Sequence, residues 1–177
     1  TSELASVSQE LQAAIDDPDE TRLTKATADV AKAVVLARAA KAAAARRDAI
    51  LEGLATLGYQ VNENMATSWV DEGRVVLKKA DTDMHGVEIA SAPDAQRLQV
   101  RAVAFADALP AAANLAAENA WCGDFGRLQE HLQQQAGDLA IERALPVGAV
   151  PLKVVQSPAA VQARSATART LKVTQTR

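Results

Sequence analysis

Asp81, Asp83 and His85 have the spacing of a small metal site. Alternate residues of an extended segment point to the same side, so two carboxylates and an imidazole could together bind a cation. The same run lies where a hairpin turn is expected, and Asp is common in turns because it bonds the local backbone. Only one histidine is present and no second motif completes a ligand shell. We favour the turn and keep a metal-dependent enzyme or effector as an alternative.

Cys122 is the single cysteine, and a cysteine nucleophile needs a base within hydrogen-bond reach. The chain offers only His85 and His131 for that role. On a helix, His131 would lie about 900° of rotation beyond Cys122 and so nearly opposite to it. We predict a buried structural cysteine beside Trp121, because a free cysteine commonly packs as a small hydrophobe.

Acidic pairs also provide no catalytic assignment. Asp71 with Glu72, or Glu118 with Asp124, could divide acid and base roles only in unequal environments, so solvated surface is the favoured interpretation. The sequence contains no Walker-type phosphate loop, no G-x-G-x-x-G and no H-E-x-x-H. We therefore predict no catalytic residue and no cofactor, and favour a non-enzymatic protein.

Composition bounds the size of the core. The chain has 177 residues, of which 49% are hydrophobic but only 3% aromatic, because much of the apolar content is alanine. Alanine favours helices and buries little area. No apolar run approaches the ~20 residues of a membrane span, and one cysteine excludes an intramolecular disulfide, so we predict a soluble, cytoplasmic protein with no membrane partner. The first residue is Thr rather than Met, which suggests a cleaved precursor or part of a longer protein.

The net charge of −3 is unevenly distributed along the chain. No acidic residue follows Glu142, so an acidic body carries a basic tail over 157–177 that we predict to be flexible. Nucleic-acid binding through this tail is a second alternative function, opposed by the charge of the body and the lack of interleaved aromatics. The tail residues assigned to it are Arg164, Arg169, Lys172 and Arg177.

A helical hairpin precedes Gly58. Leu4, Val7, Leu11 and Ile15 recur at helical spacing, which predicts a first helix over Ser2–Ile15. Asp17 and Pro18 can end it and start a second helix that continues to about Leu57, where Gly58 would be the C-terminal cap. The first helix is too short to cover the whole of the second.

The apolar face of the second helix changes direction along its length. Its first half directs Leu23 and Val30 to one side, whereas Leu51 and Leu54 point about 120° away. A heptad pattern also fits, with alanine at its middle core positions, which indicates either an exposed helix or a self-association surface. We predict partner binding in this middle region, through Arg38, Lys41, Ala44, Arg46 and Arg47.

A head of short strands follows Gly58. Alternating apolar residues bounded by Asp, Gly and Pro predict an antiparallel meander covered by one helix between Ala111 and Gln135. Gly123 and Gly126 weaken this helix, and Asp124 could cap a fresh start that makes its first part a separate turn. The predicted strands are Tyr59–Val61, Thr67–Val70, Arg74–Lys78, Gly86–Ala90, Leu98–Phe105, Leu139–Glu142 and Pro151–Gln156.

The sequence thus predicts an α+β fold with a helical arm over 1–57, a β-rich head over 58–156 and the basic tail over 157–177. The functional hypothesis is a protein-interaction or assembly module. Its arm would associate with itself, as a coiled-coil-like homo-oligomer, or with a protein partner, and its head would bind protein. Partner identity does not follow from the sequence.

Overall fold

The computed structural model describes residues 2–16, 19–92, 97–107, 109–135 and 143–158. Within these ranges the chain forms four helices and one four-stranded mixed sheet, so the α+β class is confirmed. None of the described helices is long and apolar enough to cross a membrane. The elements in chain order are α1 (Ser2–Asp16), α2 (Glu20–Thr56), α3 (Met65–Glu72), β1 (Arg74–Lys78), β2 (His85–Ser91), β3 (Leu98–Ala104), α4 (Ala111–Gln135) and β4 (Lys153–Val154).

The chain divides into two compact units, Thr1–Ala45 and Arg46–Arg177. We call the first the arm and the second the head from here on. The division falls inside α2, whose last turns belong to the head, and not at the end of the helix where the sequence pattern changes. Helix α2 is therefore continuous although its two ends belong to different compact units.

The arm consists of α1 and most of α2. Both helices were predicted from their apolar spacing, and Gly58 follows α2 with a φ of 89°, the left-handed conformation expected of a helix-ending glycine. Among residues 5–16 and 19–45, the apolar residues that the arm buries are Ala14, Ala26 and Ala43. Every residue from 34 to 42 is exposed.

The sheet has the strand order β1-β2-β3-β4. The first three strands form the predicted antiparallel meander, whereas β4 pairs parallel to β3. The chain reaches β4 only after α4 has carried it back along the sheet, so it runs in the direction of β3. The predicted strand Leu139–Glu142 lies outside the described residues, as does the whole of 159–177.

Three local predictions for the head are wrong. The predicted strand Tyr59–Val61 does not form, and only Tyr59 makes an isolated bridge, to Lys79. The segment 67–70 belongs to helix α3, because Met65 and Trp69 lie one turn apart and both are buried. Helix α4 runs through Gly123 and Gly126 without a break. A Cβ at either glycine would meet no neighbour within 4 Å, so the helix face that holds them makes no close contact. The buried stripe of α4 is formed by Trp121, Asp124, Leu128 and Leu132.

One face of the sheet packs on the helices. Helix α3 contacts β1, and α4 contacts β2 and β3. The resulting core joins residues of α2, α3, α4 and the strands, and all of its members belong to the head. They are Ile50, Leu51, Leu54, Tyr59, Met65, Trp69, Val75, Leu77, Val87, Ile89, Ala102, Trp121, Leu128 and Leu132. Since side chains alternate along a strand, the intervening residues of β1, β2 and β3 lie on the other face.

Candidate functional site

The predicted metal turn forms the connection between β1 and β2. Lys78 Nζ donates a hydrogen bond to the exposed Asp83 carboxylate, and this bond lowers the pKa of Asp83. His85 Nε2 lies 2.9 Å from Asn114 Oδ1 of α4. Among the described residues, which include Asp81, Asp83 and His85, no group of three or more acidic, His or Cys side chains could hold a metal ion. One bond thus links the turn to β1, and the other links the first residue of β2 to α4.

A shallow cleft of about 370 Å³ adjoins this turn. Its lining is mostly apolar and includes Met84, Leu109, Pro110 and Ala113, with His85 at its edge. Asp83 and His85 also line the cleft, where Lys78 bonds the Asp83 carboxylate and Asn114 bonds the His85 ring. An apolar cleft of this kind is suited to contact with another apolar side chain.

The predicted partner-binding residues fall on both sides of the boundary between arm and head. Arg38, Lys41 and Ala44 are exposed on α2 in the arm. Arg46 is half-buried and Arg47 is buried, both in the head. Three of the five predicted residues are therefore exposed. They follow the apolar side chains Val34, Val35 and Leu36 on α2, which are 40%, 64% and 56% exposed.

Cys122 is exposed on α4, so the prediction of a buried cysteine is wrong. Its neighbour Trp121 occupies the buried stripe, and one residue further along the helix turns by about 100° toward solvent. Trp121 instead packs edge-on against Tyr59, with ring centroids 6.1 Å apart.

Asp124 is a buried carboxylate in the middle of α4, where the sequence suggested a helix cap or surface acid. Tyr59 Oη donates to its Oδ2 at 2.8 Å, Lys79 Nζ donates to the same oxygen at 2.9 Å, and Arg127 donates to Oδ1. Burial acts to raise the pKa of Asp124, but these donors outweigh it and the pKa is lowered. Burial and the bond to Asp124 raise the pKa of Tyr59. Each of the three donors bonds Asp124, so the group links α4 to Tyr59 and to Lys79, the residue that follows β1.

Glu88 forms a second buried carboxylate, on the sheet face opposite the core. Its side chain is 3% exposed although it lies at the centre of β2. Arg101 of β3 donates to Oε2 from Nε at 2.6 Å and from a terminal nitrogen at 2.5 Å. Lys153 of β4 donates to Oε1 at 2.9 Å, and Arg74 of β1 lies 3.8 Å from the same oxygen. One carboxylate thus holds cations from the other three strands of the sheet.

The three cations around Glu88 keep much of their surface in solvent. The side chains of Arg74, Arg101 and Lys153 are 56%, 55% and 39% exposed. We call Arg74, Arg101 and Lys153 with the underlying Glu88 the basic face. Burial acts to raise the pKa of Glu88, but the hydrogen bonds from Lys153 and Arg101 outweigh it, so the pKa is lowered and the carboxylate stays charged.

Comparison of the chain with protein-family models, curated proteins and solved structures found no match. The local geometry must therefore carry the functional argument.

Sequence reasoning missed the basic face. The register that creates it pairs Glu88 with Arg101 directly and places Val103 opposite Lys153. A signal was present in the alternation of β2, where Glu88 stands between the buried Val87 and Ile89 and must point to the opposite face. The assigned tail residues Arg164, Arg169, Lys172 and Arg177 lie outside the described residues, and their role stays a prediction.

Proposed function

We propose that the protein is a non-enzymatic interaction and assembly module, in which the arm associates with a second copy and the head binds a protein partner. The observation that carries this proposal is the continuous exposure of α2 from residue 34 to residue 42. We call these residues the arm segment.

The arm segment combines large apolar side chains with alanine. Val34, Val35 and Leu36 are consecutive and exposed, and alanines 37, 39, 40 and 42 complete most of the surface. Burying apolar surface stabilises an interface by roughly 25 cal/mol per Å², and small side chains let two helices approach closely. Pairing of two arm segments would remove part of this apolar surface from water, because consecutive side chains lie about 100° apart on a helix, while Arg38 and Lys41 remain at the rim.

The location proposed for this module is the cytoplasm. The thiol of Cys122 is free and exposed on α4. A reducing compartment keeps such a thiol from forming disulfides between copies.

Light scattering during size-exclusion chromatography tests the association. We expect a dimer or larger oligomer for the unmodified chain, and a monomer for the double variant Val35→Gln, Leu36→Gln, because glutamine keeps helix propensity and removes the apolar contact. The matched control is Leu145→Gln, Val150→Gln, which replaces head residues that are 56% and 55% exposed. A monomeric unmodified chain at high concentration would refute self-association, and an oligomer that the arm variant retains would refute the arm segment as its interface.

A further inference from the structure

The basic face has a charge that differs from that of the rest of the head. Residues 46–156 of the head contain ten basic and fifteen acidic residues, a net charge of −5, and residues 157–177 add four basic and no acidic residues. At the basic face, three cations surround one carboxylate, which leaves two positive charges in a single cluster. An isolated positive cluster on an acidic body is suited to a ligand whose negative charge is local.

The cluster is also held in place before any ligand arrives. Two nitrogens of Arg101 bond Glu88 from the neighbouring strand, and Lys153 bonds it from β4, on the far side of β3. Long basic side chains normally lose rotamer entropy on binding, and anchoring to a buried carboxylate reduces that cost. Arg74 is held more loosely, 3.8 Å from Glu88, and its guanidinium keeps most of its donors available.

We propose that the basic face binds the carboxylates of an acidic, extended peptide segment of a protein partner. This inference rests on the proposed function, since it supplies the chemistry of the partner that the head would bind. Exposed arginines are suited to planar carboxylates because their donors form a fork of matching geometry.

The position of β4 favours an extended ligand. It is the last strand in the sheet order, and its outer edge pairs with no other strand in the described part of the chain. An extended peptide that enters from this edge and lies across the basic face would pass Lys153 on β4, Arg101 on β3 and Arg74 on β1, so its acidic side chains could reach all three cations. A long polyanion such as nucleic acid would extend past the cluster onto the acidic head, where repulsion opposes binding.

Fluorescence anisotropy with the full chain tests the proposal. The probes are a labelled short peptide of alternating Glu and Ser, the same peptide with Gln in place of Glu, and a labelled single-stranded oligonucleotide. We expect the Glu peptide to bind, the Gln peptide not to bind, and the oligonucleotide to bind more weakly than the Glu peptide.

Two variants with opposite expected effects on affinity distinguish peptide recognition from a purely structural role of the basic face. Arg74→Gln should weaken Glu-peptide binding about 3-fold, and Glu88→Gln should strengthen it about 3-fold because it removes the competing carboxylate. The control Arg143→Gln makes the same charge change at an exposed position outside the basic face and should leave the affinity unchanged. Circular dichroism checks that each variant is folded, and Arg74→Gln alone decides the result if Glu88→Gln does not fold.

The proposal is overturned if the Glu peptide does not bind, if Arg74→Gln and Arg143→Gln have equal effects, or if the oligonucleotide binds more tightly and Arg74→Gln weakens that binding. These titrations are independent of arm-dependent assembly. A monomeric chain that still binds the Glu peptide would refute the arm proposal and support this one.

Discussion

The arm and the head differ in what holds their helices in place. Where the burial of the arm is described, at residues 5–16 and 19–45, its buried apolar residues are three alanines, whereas the head buries Trp69, Leu54, Ile89 and other large side chains in one cluster. Alanine contributes helix propensity but little buried area. The head therefore has a core that can sustain an independent fold, and the arm depends far more on helix propensity and on any partner that covers it.

Helix α2 contains both situations in one continuous element. Leu36 is exposed in the arm segment, while Leu54, five turns further along, is fully buried in the head. Two leucines of one helix thus lie in different environments. Substituting each of them compares the stability that each contributes.

Substitution of these two leucines should give the largest contrast. We expect Leu54→Ala to lower the free energy of unfolding by about 4 kcal/mol, because it leaves a cavity in the core. Leu36→Ala should change it by less than about 0.5 kcal/mol, as at other exposed positions. Urea unfolding at a concentration where the chain is monomeric measures both. Equal effects of the two substitutions would contradict the contrast between arm and head.

The buried carboxylate of the head should give the next largest effect. We expect Asp124→Asn to lower the free energy of unfolding by about 2 kcal/mol at neutral pH, because Lys79 and Arg127 lose their counter-charge. Tyr59 can still donate to the remaining amide oxygen. Chemical denaturation of the two proteins under identical conditions measures the difference, and a change that left stability intact would show that the ion pairs contribute little.

The effect of Asp124→Asn should also depend on pH. The folded-state pKa of Asp124 lies below its ordinary value of about 3.9, so its stabilisation is present above that value and is lost as the pH falls through the folded pKa. The difference in unfolding free energy between the two proteins should shrink as the pH falls below about 4. A difference that stays constant down to that range would indicate a packing cost of the amide instead.

Removal of residues 1–45 should have the smallest effect on the stability of the head. Every member of the head core lies after this cut, so we expect the melting temperature of the head to change by no more than about 3 °C. The same deletion should abolish self-association. Calorimetry and light scattering on the truncated protein measure the two results, and an unfolded head or an unchanged oligomer would each contradict the comparison.

Much of the fold was accessible from the sequence because local periodicity dominates it. The spacing of Val7, Leu11 and Ile15 predicted α1, and alternation predicted β1, β2 and β3 with small boundary shifts. Helix α3 was missed because eight residues carry too few repeats to distinguish a helix from a strand. Asp124 was misassigned because a polar residue between two glycines resembles a helix cap until its partners are known.

The candidate sites depended on information that no local pattern contains. The basic face requires the register of three strands and a partner 65 residues from Glu88 along the chain. The exposure of Cys122 and of the arm segment depends on which neighbours cover each helix face. Sequence patterns located the arm segment approximately, since its alanine-rich heptads indicated a poorly covered surface, but only burial separated Arg38 and Lys41 from Arg47.

The parallel pairing of β4 has a consequence for the order in which the head is assembled. Lys153 reaches Glu88 only after the whole of α4 has been made and the chain has returned to the sheet. On a ribosome, β1, β2 and β3 can emerge and pair as a local meander well before this last strand is available. During that interval Glu88 has Arg101 as its nearest-neighbour cation, and the positive cluster is incomplete. The surface proposed to recognise a partner is thus finished late in synthesis, which delays capture of acidic segments by half-made chains.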